Sequence, residues 1–166
     1  MKAYQVFARM TPERTHALLE GLREGAPAVY TQALAAASAW LRARPQFVLK
    51  QSPERRAKLV RQALSRFNTS LVAEEVLAAY FLQVKKPLLI EWLDLLGVPH
   101  EDGGLADEAP AEPAREVLER ALASYRKPGD AADRELLLEA FAAQSAIDWP
   151  LLEELIGLPP EKAASR

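Results

Sequence analysis

Apolar residues recur at spacings of three and four through most of this chain, and the breaks between runs fall at Pro, Gly and short polar clusters. That is a helical rhythm. The densest run is Leu88 to Leu96, where Glu91 and Asp94 are the only polar positions and share neighbouring spokes of a 100° wheel. Pro87 suits a first helical turn, and Gly97–Val98–Pro99 is a stop of the Schellman type. The run predicts a helix packed on several sides, the centre of the fold.

Other helices follow from the same pattern. Residues 1–10 form a lead-in without a clear period. Thr11–Pro12–Glu13 combines an N-cap, a Pro at the first position and an acid near the positive end of the dipole, and predicts a helix to Glu24. A second helix runs from Pro27 to about Ala43, uncharged from Ala28 to Leu41. After a break at Arg44–Pro45–Gln46, Ser52–Pro53–Glu54 opens a third, with Ala57, Leu59, Val60, Ala63, Leu64 and Phe67 on one face. Further helices are predicted over Leu71–Val84, Pro113–Tyr125, Asp130–Gln144 and Pro150–Ile156. His100 to Glu112 reads as an acidic linker, and the tail 161–166 is expected to fray.

The pattern repeats. Leu59–Phe67 answers Val117–Tyr125 at an offset of 58, and Glu75–Val76–Leu77 with Phe81 answers Glu135–Leu136–Leu137 with Phe141 at 60. Asp94–Leu95–Leu96–Gly97–Val98–Pro99 is echoed by Glu154–Leu155–Ile156–Gly157–Leu158–Pro159. Residues 57–101 and 115–161 are therefore read as two copies of a three-helix unit joined by the linker 102–112, after an N-terminal helical pair over 11–50. The expected fold is all-α, a compact single-domain bundle of about eight helices.

Composition agrees: 30 Ala and 26 Leu favour helices, while the β-branched and aromatic residues that sheets want are sparse. Arg outnumbers Lys 14 to 7, the bias of a GC-rich, bacterial-like genome. With no cysteine, neither a disulfide framework nor a thiolate metal site can form. The N-terminus lacks the apolar core of a signal peptide, and Lys85–Lys86–Pro87 breaks the longest apolar region, so a cytoplasmic protein without a membrane role is expected.

The net charge of −2 conceals an asymmetry: residues 1–70 balance at +8 and residues 71–166 at −10. The sharpest basic feature is the stretch 42–66, where Arg42, Arg44, Lys50, Arg55, Lys58, Arg61 and Arg66 are candidates for an anionic partner. Arg56 differs, because the wheel places it within the apolar arc of the third helix. It is expected to be an internal charge paired with Glu74, Glu75, Glu91 or Asp94. Ala28, Ala35, Ala39 and Trp40 on the uncharged second helix are the interface candidates.

Catalytic signatures are missing. No phosphate loop, dinucleotide fingerprint or nucleophile elbow occurs. His100–Glu101–Asp102 lacks a metal-loop spacing, and Pro160 stands at the matching place in the second copy. No catalytic, metal-ligating or cofactor-binding residue is assigned, and no cofactor is expected. The leading expectation is a non-enzymatic helical protein–protein interaction or scaffolding module that self-associates or binds another helical protein. The alternative is an anion-binding module, for nucleic acid or an acidic protein, using residues 42–66. An enzymatic or small-ligand site near His16 or His100, unmarked by any motif, comes third.

Overall fold

The computed structural model describes residues 1–157. The Leu158–Pro159–Pro160–Glu161 end of the second stop signal and the tail expected to fray lie outside them. The fold is all-α: ten α-helices among the described residues, with one two-residue β-hairpin. No helix among these residues is long and apolar enough to cross a membrane. The described residues fall into two compact units, 2–85 and 86–157, the second also counting Met1. Their boundary, between Lys85 and Lys86, lies inside the first of the two three-helix stretches proposed from sequence.

The first unit begins with an element missed in the sequence. The lead-in forms a helix, α1 (Ala3–Arg9), burying Ala3, Val6 and Phe7. At its C-terminal end Arg61 donates from Nη2 to Ala8 O at 2.9 Å and from Nε to Met10 O. A cation there satisfies carbonyls that the helix leaves open and complements its dipole. Next come α2 (Pro12–Gly25), α3 (Pro27–Leu41), a one-turn α4 (Pro45–Leu49) where a break was expected, and α5 (Pro53–Leu64). Thr11 and Ser52 cap α2 and α5 through their hydroxyls, as the sequence predicts. The central helix of this unit is α5, which packs on α1, α2, α3 and α6 (Ser70–Ala79).

From α6 the chain passes directly into a π-helical turn, Tyr80–Val84, closed by Lys85 N donating to Tyr80 O at 2.9 Å. The turn lies against α2 where that helix carries Gly21 and Gly25. A Cβ at Gly21 would stand 3.0 Å from both Tyr80 Cε2 and Val84 Cγ1, and one at Gly25 would stand 3.0 Å from Val84 Cγ2. The two glycines are what let the wider π turn approach.

The second unit is organised by α7 (Lys86–Leu96), which buries Leu88, Leu89, Trp92, Leu93 and Leu96 and packs on α8 (Arg115–Tyr125) and α9 (Ala131–Ala142). Its outer side is more open than expected: Ile90 and Leu95 are only half-buried and line a shallow hollow with Pro87, Glu91 and Asp94. Trp92, Tyr125, Phe141 and Trp149 form a run of rings, with centroids 5.2 Å apart for Trp92–Tyr125 and 5.4 Å for Phe141–Trp149. Gly97 and Gly157 end α7 and α10 (Pro150–Leu155) in left-handed conformation, with φ of 69° and 77°.

The acidic linker is not structureless. His100–Glu101 pairs antiparallel with Gly104–Leu105 across Asp102 (φ 51°) and Gly103 (φ 91°), a tight two-residue turn with both central residues at positive φ. Farther on, Glu112 Oε1 accepts from Leu151 N at 2.7 Å and Leu152 N at 3.1 Å, capping α10 from a distance. Trp149 Nε1 donates to Pro110 O at 2.8 Å. The segment thus holds the last helix in place.

Candidate interaction surface

The interface candidates lie on the open side of α3. Ala33, Leu34, Ala37 and Ser38 face the core, leaving Ala28, Thr31, Gln32, Ala35 and Ala39 exposed and Trp40 half-buried. The hydroxyls make little polar surface, because Thr31 Oγ1 donates to Pro27 O at 3.0 Å and Ser38 Oγ to Leu34 O at 3.1 Å within the helix.

Beside α3 runs α6, antiparallel to it. Gln32 Nε2 donates to Glu75 Oε2 at 2.6 Å, and at the other end the Arg66 guanidinium lies 5.3 Å from the centre of the Trp40 ring. The outward stripe from the turn before α6 to the π turn after it is apolar apart from Glu75. Phe67 is 78% exposed and Leu71 75%, followed by exposed Glu75, half-buried Ala78 and exposed Leu82. Phe67 departs from the sequence reading, which placed it in the core. Helix α5 stops at Leu64, and the Thr69 hydroxyl donates to Ala63 O at 2.7 Å and Arg66 O at 2.8 Å in the turn that follows. Phe67 therefore leaves the α5 face and touches only the Tyr4 ring edge-on at 5.8 Å among the ring contacts. Tyr125, its counterpart at an offset of 58, is fully buried.

The basic stretch separates by role. Arg42, Arg44, Lys50, Arg55 and Lys58 are exposed, and no acid stands between Glu24 and Glu54. Half-exposed Phe47 and Leu49 sit among them on α4. Arg61 is turned inward onto the end of α1 and is not offered freely to an anion, whereas Arg66 stays exposed with its guanidinium resting on the Trp40 ring. Arg56 is half-buried, and its Nη1 donates to the Tyr30 hydroxyl at 3.3 Å. A phenol on α3 therefore receives it. Two of the carboxylates named as its mates are engaged elsewhere, Glu91 by Arg134 and Asp94 by His100.

A buried cation that the sequence pattern did not single out is Arg134. Only 5% exposed, it donates to Gly129 O at 2.7 Å, Tyr125 O at 3.3 Å and Glu91 Oε2 at 2.9 Å, with its guanidinium 4.8 Å from the Tyr125 ring centre. Lys127 Nζ meets the other Glu91 oxygen at 2.5 Å. The hydrogen bond from Arg134 holds the Glu91 carboxyl below the usual carboxylate range, against the pull of desolvation, with Lys127 adding to the effect. Burial pushes the Tyr125 phenol well above its ordinary range while its hydroxyl donates to Leu88 O at 3.1 Å. The signal that could have found Arg134 is its spacing of three, four and seven residues from Leu137, Leu138 and Phe141, all buried.

His100 is also accounted for. Gly103 N donates to Nδ1 at 3.2 Å, so Nε2 carries the proton and donates to Asp94 Oδ1 at 2.8 Å. The ring is a strut between the hairpin and α7. No group of three or more His, Asp or Glu side chains suited to a metal ion occurs among the described residues. Compared with protein-family models, curated proteins and solved structures, the chain matches none.

Proposed function

We propose that this chain is a non-enzymatic helical interaction module that associates with itself through the α3–α6 face of residues 2–85. One observation carries the reading: Phe67 and Leu71, 78% and 75% exposed, stand beside an uncharged helix whose outward side is mostly alanine. Soluble chains rarely leave so continuous an apolar face uncovered. Light scattering behind size exclusion, run over a range of concentrations, tests it. The mass per particle is expected to exceed one chain and to fall to one chain in Ala35→Glu, which sets a charge on the face without touching the core. A wild-type chain that stays monomeric at every concentration overturns the proposal.

Capture of an anionic partner, nucleic acid or acidic protein, is the second reading. It is favoured by the exposure of Arg42, Arg44, Lys50, Arg55 and Lys58 on a stretch whose one acid is Glu54.

A further inference from the structure

The α3–α6 face carries its own complement, and we infer that two copies pair on it antiparallel about a two-fold axis passing between Ser70 and Leu71. The inference rests on the self-association proposed above and specifies its geometry. Arg66 and Glu75 are both exposed and lie nine positions apart along α6 and the turn before it, symmetric about that point. A two-fold pair formed there places Arg66 of one copy opposite the partner's Glu75 and repeats the contact at the other end, as an isologous interface must.

Each end is prepared for this. Gln32 holds one oxygen of Glu75 at 2.6 Å and so fixes the carboxylate at the rim, leaving the second oxygen available. Trp40 supports the Arg66 guanidinium from below at 5.3 Å. Between the charges the face offers Leu71 as a protruding apolar side chain on α6 and Ala35 and Ala39 as shallow ground on α3. Small residues let the two α3 helices approach closely while the Leu71 side chains fill the centre. Parallel pairing would instead set Arg66 against Arg66 and Glu75 against Glu75, and like charges in register disfavour it. The occupant is therefore a second copy in one orientation.

Charge reversal tests this. Dimer dissociation constants are measured by sedimentation equilibrium on the full chain for wild type, Arg66→Glu, Glu75→Arg, the double reversal, and Leu71→Glu. All three substituted positions are exposed, and circular dichroism confirms that each variant is folded. Each single reversal places two like-charge contacts in the pair and is expected to raise the dissociation constant by about tenfold or more. The double reversal is expected to restore it to within about threefold. Leu71→Glu is expected to abolish the dimer.

If both single reversals dimerise like wild type while Ala35→Glu and Leu71→Glu dissociate, the antiparallel pairing is overturned and the self-association stands. If wild type is monomeric, both are overturned. A single-cysteine Leu71→Cys variant, possible because the chain has no other cysteine, separates one more occupant. Protection from a maleimide that rises with protein concentration supports pairing of copies. Protection that is the same at every dilution means the chain covers its own face and overturns the inference.

Discussion

Replacing Arg134 by Met removes the only partner that reaches Glu91, Tyr125 O and Gly129 O together, while keeping an unbranched side chain over the Tyr125 ring. Breaking a buried ion pair by deleting one member costs about 3–5 kcal/mol. Two features alter that figure here. Glu91 keeps Lys127 at 2.5 Å and is 29% exposed, which lowers the cost of stranding it. Two carbonyls lose a charged donor, at about 1 kcal/mol or more each. The expected loss is about 2–4 kcal/mol, a fall in Tm of roughly 10–20 °C for a unit of this size. Trp92 and Trp149, both buried in residues 86–157, report the transition by fluorescence in a Trp40→Phe background. Lys127→Met, removing a half-exposed partner, is expected to cost no more than about 0.5–1 kcal/mol. Combining Arg134→Met with Glu91→Leu should recover part of the loss, since no carboxylate is then stranded and the half-exposed Lys127 turns to solvent. The pH dependence follows from the depressed Glu91 value. Its contribution is fully present above the unfolded value of 4.5 and is lost as pH falls through the lower folded value, so the gap between wild type and Arg134→Met narrows in acid. An Arg134→Met protein within about 0.5 kcal/mol of wild type at neutral pH would refute the reasoning.

Gly21→Ala should destabilise residues 2–85 by about 1–2 kcal/mol, since overpacking against buried Tyr80 and half-buried Val84 outweighs a helix-propensity gain of up to about 1 kcal/mol. Chemical denaturation followed by Trp40 fluorescence checks it, and a stabilised variant would mean the π turn is not seated on α2 as described. For the anionic reading, reversing Arg44, Arg55 and Lys58 to Glu while sparing Arg61 should remove salt-sensitive retention on heparin without loss of fold. Unchanged retention would discharge that surface from the role.

Much of this architecture was legible in the chain because capping chemistry and helical period are local. Thr11 and Ser52 cap the helices they predict, and Gly97 stops α7 at positive φ. What escaped is set by partners distant in sequence. The lead-in is helical because Arg61 closes its end and Val6 and Phe7 find a core, and neither fact is visible in ten residues. The hairpin at Asp102–Gly103 was legible in principle, since that dipeptide favours the turn observed, but its acidity suggested a solvated linker. For the candidate surface, the uncharged run of α3 pointed to Ala28, Ala35 and Ala39, and these are exposed. Phe67 was placed in the core on a periodicity that α5 abandons at Leu64, three residues too early. An apolar arc interrupted by an arginine is informative about burial, but it occurs around both Arg56 and Arg134. Only tertiary packing decides that the first meets a phenol and the second a carboxylate.

The hairpin also bears on how this protein ages. Asp–Gly is a dipeptide prone to slow isomerisation, because the glycine nitrogen can close on the aspartate carboxyl to a succinimide that reopens to isoaspartate. Here both reacting groups are restrained. Gly103 N is committed to the His100 ring at 3.2 Å, and the Asp102 carboxylate is tethered by Lys86 at 2.7 Å. The turn that fixes the hairpin thus also slows its own chemical decay. Molecules that lose the His100 strut would accumulate a backbone kink at residue 102 during storage, long before any change in the helices around it.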